Sequence, residues 1–217
     1  GGSLTRGLAE RWQDARVVGV DSSPEMLEQA TEWAVPGRLE FVRAEIDKWT
    51  TDQPVDLIVS NAALHWIADH ESLLTRLAAM LSRRGSLAVQ MPNRFQTPSQ
   101  AAIETAASDP RRSSLLTGVG LHRESTRPLL WYVRLLHDLG FSVNAWETTY
   151  IHVLSGENPV LAWLKGTALR PLLARLDPSM AADFLSEVGT RLKAAYPPTG
   201  DVTFFPMPRI FFVATRH

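Results

Sequence analysis

The sequence contains no cysteine, which excludes disulfides, thiolate zinc sites and a cysteine nucleophile from these residues. It has no apolar run near the roughly 20 residues that cross a bilayer, and no signal-peptide pattern at its start. Neither charge is in surplus, because 22 Lys and Arg stand against 23 Asp and Glu, for a formal net charge of -1. The basic residues are scattered, so the electrostatic footprint of a nucleic-acid binder is missing. Internal repeats and low-complexity stretches are lacking too. These absences lead to the expectation of a soluble cytoplasmic protein that binds neither nucleic acid nor membrane. What is present, 45% hydrophobic residues in a chain of 217, suits one sizeable core domain with room for a small insertion.

Strand and helix patterns alternate through the first hundred residues, as they do in a doubly wound parallel α/β sheet. Strands are expected at 16–21, 39–43, 55–61 and 86–91, with helices at 24–34 and 70–82. Arg83, Arg84 and Gly85 read as the C-terminus of the second of these helices. The sequence opens on Gly1, Gly2 and Ser3 and passes directly into helical spacing at Leu4, Leu8 and Trp12, with no strand before it. Two readings stand: the glycines are the tail of a glycine-rich strand-to-helix turn whose strand is absent from the sequence, or they are a linker remnant.

The rhythm changes after Pro92 and Asn93. Residues 94–138 read as two helical stretches around a polar loop at 117–126, and a strand follows from Gly140 and Phe141 to Tyr150. Residues 155–197 look wholly helical in three pieces, divided at Gly166, Pro171 and Asp177-Pro178, and 209–215 is a final strand. Helical insertions late in an α/β chain form caps over the ligand edge of the sheet. The expected division is a core of 1–93, 128–154 and 201–217, with cap segments at 94–127 and 155–200.

The chemistry is expected at the strand ends. Val17 to Asp21 is a buried strand that delivers a carboxylate just before a helix, which Ser23 starts as N-cap, Pro24 as first residue and Glu25 in the first turn. Asp21 can accept hydrogen bonds from both hydroxyls of a ribose; its other use, capping the helix, is already filled by Ser23. Met26, one turn in, can pack on a purine or simply in the core. Glu45 ends the next strand and can accept an exocyclic amine. The third strand runs into Ser60-Asn61, where a backbone carbonyl and a side chain can meet the cationic end of a ligand, and His65-Trp66 can wall the pocket.

The blocks Gly1-Gly2-x-Leu4, Gly19-Val20-Asp21-Ser22-Ser23-Pro24-Glu25-Met26, Ala44-Glu45-Ile46 and Asp56-Leu57-Ile58-Val59-Ser60-Asn61 resemble the motifs of the class I S-adenosylmethionine (SAM)-dependent methyltransferases. The resemblance runs nearly end to end and is most specific in Ser60 to Trp66, Trp146 to Tyr150 and Trp163 to Pro171, the last block above all. It implies a Rossmann-like sheet whose first strand and most of whose glycine motif precede Gly1, with a helical cap insertion. It implies SAM as cofactor, S-adenosylhomocysteine as product and no metal, with cofactor contacts from Gly1, Gly2, Asp21, Ser22, Met26, Ala44, Glu45, Ile46, Asn61 and Ala62.

The resemblance also implies the reaction: methyl transfer to a carboxylate of trans-aconitate or a similar small polycarboxylic acid, giving a monomethyl ester. Arg170 and Arg209 would bind carboxylates, since guanidinium groups do so bidentately. Lys165, His65, Trp66, Tyr150 and His152 would add contacts. Lys165 and Arg170 are five residues apart, about 140° around an ideal helix, so they share a pocket only if Gly166 breaks it. Two other readings remain at this point, a methyltransferase of another acid such as a malonyl thioester on a carrier protein, and a SAM-binding module without turnover. A nicotinamide dehydrogenase shares the strand-end acid but fits the Ser60-Asn61 mouth poorly. The expected partner is the small acid itself, met by a monomer or weak dimer.

Overall fold

Gly19 has no side chain, and a Cβ there would lie 2.5 Å from the Phe41 ring; this close approach sets the pairing of the first two strands. In the computed structural model, which describes residues 1–93, 97–119 and 126–217, Val17–Asp21 (β1) and Leu39–Arg43 (β2) form a parallel two-stranded sheet with Gly19 opposite Phe41. Helix α1 (Ser3–Arg11) precedes them and α2 (Pro24–Ala30) joins them. They form one compact unit, Gly1–Gln53.

The expected helix at 24–34 ends early. α2 stops at Ala30 and the chain tightens into a 3-10 turn, Thr31–Trp33. Thr31 is β-branched, and its hydroxyl donates back to the Leu27 carbonyl at 2.9 Å, a competition with the helical ladder that favours the tighter turn.

The second unit, Pro54–His217, holds a four-stranded sheet in the order β3-β4-β6-β5. Its elements are β3 (Val55–Asn61), α3 (His70–Met80), β4 (Leu81–Pro92), α4 (Pro98–Ala107), α5 (Ser113–Leu116), α6 (Leu129–Asp138), β5 (Phe141–Ser155), α7 (Pro159–Lys165), α8 (Arg170–Leu173), α9 (Pro178–Ala195) and β6 (Val202–Arg216). β3 and β4 run parallel, and β6 is antiparallel to both β4 and β5. Asp69, Thr97 and Asp177 cap α3, α4 and α9 through their side chains. Among the described residues no helix is long and apolar enough to cross a membrane.

Three expectations are corrected here. Arg83, Arg84 and Gly85 do not close a helix: α3 ends at Met80, buried Leu81 is already extended opposite Val55, and the three residues form an irregularity at the start of β4 in which Arg84 takes φ 71. Pro171 does not divide two helices but lies in the first turn of α8, where its missing N–H costs nothing. β5 and β6 do not stop at Tyr150 and start at Arg209; they pair continuously from Phe141 with Arg216 to Ser155 with Val202. The prolines that obscured this, Pro206 and Pro208, stand opposite Ile151 and Thr149. The Pro208 carbonyl accepts from Asn93 N at 2.8 Å, so the side of β6 that bears the proline nitrogens faces away from β5, and the hairpin loses no hydrogen bond. Of the expected loop at 117–126 and cap segment at 94–127, residues 94–96 and 120–125 lie outside the described residues.

One face of the four-stranded sheet carries Ile210, Phe212 and Ala214, all fully buried, with the Tyr132 ring of α6 stacked on Phe212 at 5.5 Å. A separate core joins α4, α5 and α7–α9 through Ile103, Leu116, Leu164, Leu172, Phe184 and Val188, together with Phe205 of β6. Arg112 is buried beside it with 3% of its side chain exposed. Its Nε donates to the Ala106 carbonyl at 2.7 Å, its Nη2 pairs with Glu187, and its guanidinium lies 5.4 Å from the centre of the Phe184 ring. A buried charge is tolerable only when paired in this way. Replacing Arg112 with Met should therefore cost about 3 kcal/mol, measured as a lower urea midpoint at unchanged slope.

Candidate active site

In the first unit the turn after β1 is built as the sequence suggested. Ser23 caps α2, its hydroxyl oxygen accepting from Met26 N at 3.2 Å, and the same hydroxyl donates to Glu25; this bond holds the Glu25 carboxyl below the usual range. Asp21 Oδ1 accepts from Ser23 N at 2.9 Å, while Oδ2 accepts nothing among the described residues. Ala44 N donates to the Asp21 carbonyl at 3.0 Å, which sets Ala44, Glu45 and Ile46 beside the Asp21-Ser22 turn. Glu45 pairs with Lys48 through Oε2 and raises its ammonium above the ordinary lysine value.

Gly1 and Gly2 lie against α2. The Trp33 indole donates to the Gly1 carbonyl at 3.0 Å. Gly2 takes φ 81, and a Cβ there would meet Ala30 and Trp33 at 2.8 Å, so neither backbone nor space admits another residue. Met26, 38% exposed, keeps its sulfur 3.8 Å from the Gly1 nitrogen.

In the second unit β3 ends in a sharp turn. Ala62 adopts φ 53, a left-handed conformation that a non-glycine residue holds only when its surroundings impose it. The imposing group is Gln90 on β4, whose backbone carbonyl accepts from Ala62 N at 2.9 Å. The orientation of the Gln90 amide is fixed by its neighbours: its nitrogen donates to Asn61 Oδ1 at 2.5 Å, and its oxygen accepts from Arg209 Nη1 at 3.0 Å and Met91 N at 3.1 Å. Arg209 in turn stands 5.5 Å from the Tyr150 ring centre. One connected set on one sheet face thus includes Asn61, Gln90, Arg209 and Tyr150. Further out on β5, His152 packs on Trp163 of α7 at 4.6 Å.

The remaining candidates sit on separate pieces. Lys165 ends α7 and Arg170 begins α8, both exposed, with residues 166–169 breaking the helix between them. No hydrogen bond or ion pair among the described residues joins either to Arg209. His65 is buried and Trp66 half exposed, their rings 4.7 Å apart in the 3-10 turn Leu64–Trp66.

That turn is held by a residue pair absent from the sequence reading. His70 Nε2 donates to the Leu64 carbonyl at 2.8 Å, and His70 Nδ1 accepts from the Tyr132 hydroxyl at 2.6 Å. The Tyr132 oxygen also accepts from Arg127 N at 3.0 Å. Burial lowers the His70 value below its usual 6.5 and raises that of Tyr132. Sequence carries little sign of the pair, since a histidine at the start of one helix and a tyrosine in another look like ordinary helix residues.

A methyltransferase-domain family matches residues 1–85. The chain is 42% identical to a trans-aconitate 2-methyltransferase of Streptomyces avermitilis, with 99% of this chain and 81% of that protein aligned. It is 44% identical to the enzyme of that name from Mycolicibacterium gilvum, over 98% of the chain and 83% of the relative. The chain belongs to the trans-aconitate 2-methyltransferase family. A Mycobacterium tuberculosis member is 39% identical over 98% of the chain and 81% of its own length. The fold is shared with the YcgJ protein of Bacillus subtilis, at TM-score 0.59 and 12% identity, with 99% of this chain and 98% of that one covered. It is shared also with a Haemonchus contortus phosphoethanolamine N-methyltransferase solved with S-adenosylhomocysteine, at TM-score 0.54 and 14% identity over 97% and 45% of the two chains. The chain is thus a Rossmann-like class I methyltransferase.

For this member of the trans-aconitate 2-methyltransferase family, the buried His70 gives stability a pH dependence. A histidine whose folded value lies below that of the unfolded chain favours folding only while neutral. Its contribution is complete above about pH 6.5 and is lost as pH falls through that value toward the folded one. Unfolding free energy should therefore drop between pH 7.5 and 5.5 in urea titrations, by at most about 1.4 kcal/mol per pH unit. A His70→Gln variant should lose this dependence; an unchanged slope would assign it to another group.

Proposed function

We propose that the chain is a SAM-dependent O-methyltransferase that esterifies one carboxylate of trans-aconitate or a closely similar polycarboxylic acid. The observation that carries this reading is the linked set Asn61, Gln90, Arg209 and Tyr150, which puts a guanidinium beside the end of β3 in a chain 42% and 44% identical to two trans-aconitate 2-methyltransferases.

The residues present fit the cofactor. Asp21 keeps Oδ2 for a ribose hydroxyl because only Oδ1 is used within the turn. Glu45 keeps Oε1 for an amine because Lys48 takes Oε2. Met26 is exposed enough to cover a ring. Gly2 leaves backbone where a side chain cannot fit; Ser22, Ala44 and Ile46 belong to the turns beside Asp21 and Glu45, and Ala62 to the turn after β3 in the second unit. Asn61 contributes its backbone carbonyl, since its side-chain oxygen is taken by Gln90. When bound, SAM supplies an electrophilic methyl that a carboxylate oxygen accepts, giving the monomethyl ester and S-adenosylhomocysteine.

A carboxylate is already ionised at neutral pH, so the protein needs no general base. Its work is to bind, align and desolvate the acid. Arg209 and Arg170 supply the charge-assisted bonds, with Lys165, Tyr150, His152, His65 and Trp66 as polar and aromatic contacts. We divide the chain into a core of 1–93, 128–154 and 201–217 and a cap of 94–127 and 155–200. The shared core of α4, α5 and α7–α9 with Phe205 supports this division. The reading carries with it a cytoplasmic enzyme, monomeric or weakly dimeric, with no nucleic-acid partner.

Incubation with SAM and trans-aconitate should yield, by mass spectrometry, an acid heavier by one methylene together with S-adenosylhomocysteine. SAM binding with neither product would turn the search to other acids, carrier-bound thioesters or a binding-only role. Arg170→Ala should raise KM for the acid roughly tenfold to hundredfold, the worth of a charge-assisted pair, and leave the SAM Kd unchanged. Equal loss of both would count against the carboxylate role.

A further inference from the structure

A glutamine in the interior of an apolar strand needs a reason. Leu87, Val89 and Met91 of β4 are buried on one face of the sheet, so Gln90 points to the other, where alternation also places Asn61, Arg209 and Phe211. A carboxamide there carries two donors and an acceptor and is expensive to leave unsatisfied. Three contacts of Gln90, two from its side chain and one from its backbone, lead to residues that the proposed function uses. The nitrogen holds the Asn61 side chain, and the backbone carbonyl holds the strained Ala62 turn at the cofactor end. The oxygen accepts from one Nη of Arg209 at the substrate end.

We infer that Gln90 is a positioning residue that couples the two ends of the site, its side-chain amide fixing the Asn61 side chain and the Arg209 guanidinium while its backbone carbonyl holds Ala62. The inference rests on the reading of Arg209 as a carboxylate-binding group. A guanidinium has a planar fork of five N–H donors. Anchoring one of them to Gln90 while Tyr150 lies 5.5 Å from its centre restricts the rotation of the fork and presents the other donors in a set direction. Glutamine suits the place better than glutamate, because a neutral acceptor orients Arg209 without cancelling the charge that an anionic acid must meet.

The test compares Gln90→Met, Gln90→Glu, Arg209→Ala and the Gln90→Met/Arg209→Ala pair. Steady-state kinetics in the acid are set beside SAM Kd from titration calorimetry, with thermal unfolding as a check on folding. Gln90→Met is expected to raise KM for the acid about tenfold and to weaken SAM severalfold, whereas Arg209→Ala acts on the acid alone. The pair should be no worse toward the acid than Arg209→Ala by itself, because Gln90 acts through that arginine. Gln90→Glu should raise KM at least as much as Gln90→Met, since its carboxylate neutralises Arg209. If Arg209→Ala raises KM but Gln90→Met leaves it unchanged, or the two effects add in full, Gln90 is not a positioning residue and the carboxylate reading stands. If Arg209→Ala leaves KM for the acid unchanged, the carboxylate reading fails and the inference falls with it. A Gln90→Glu variant with wild-type kinetics would overturn the inference irrespective of the other variants.

Discussion

The second unit depends on a single strand that is paired on both sides. β6 meets β4 through Ser86 to Pro92 and β5 through all fifteen residues from Phe141 to Ser155, each in unbroken antiparallel register. Because side chains alternate across a strand, that register decides at once which residues face the helical layer and which face the site. Ile210, Phe212 and Ala214 fall on the covered face, and Arg209 and Phe211 on the other. A slip of one residue would bury the guanidinium and expose Ile210, Phe212 and Ala214, so the apolar face of β6 fixes the position of the polar one. The Trp146 ring, stacked on Phe211 at 5.3 Å and 6°, adds a cross-strand contact to the same alignment.

Within that frame, a few enclosed polar groups act as locators. Apolar attraction is non-directional, whereas a buried hydrogen-bonding group tolerates only the geometry that satisfies it. The His70–Tyr132 pair ties the turn bearing His65 and Trp66 to α6, and Arg112 ties the α4–α5 connection to α9 through Glu187. Neither group need touch a ligand to matter. Each sets where a segment lies, and the segments so set carry or adjoin the candidate site residues.

The legibility of these features in the sequence followed the range of the forces involved. β2 and β3 coincide with their apolar runs, and the Ser23-Pro24-Glu25 start of α2 acts as its residue types require, because strand pattern and capping are local properties. Asp21 was readable for the same reason. The outer half of the β5–β6 hairpin was not: Pro206 and Pro208 look like breakers until the direction of their missing N–H groups is known, and that direction is set by the partner strand. The residues at 83–85 carry every sign of a helix end, yet burial of Leu81 opposite Val55 draws them into β4. Gln90 left only a faint mark, one amide in an apolar strand, since its significance lies in Asn61 and Arg209, which are distant in sequence and adjacent in space.

The two prolines of β6 have a second effect. Between Thr203 and Met207 the strand has left β4 behind and, among the described residues, is paired with β5 alone, so among them it shows an edge of the kind that recruits strands from other molecules. With Pro206 and Pro208 on that edge, two successive donor positions are blank, and an incoming strand would find acceptors without matching N–H groups. The hairpin can therefore extend well past the sheet, bringing Tyr150 and His152 out toward α7, without becoming a template for aggregation.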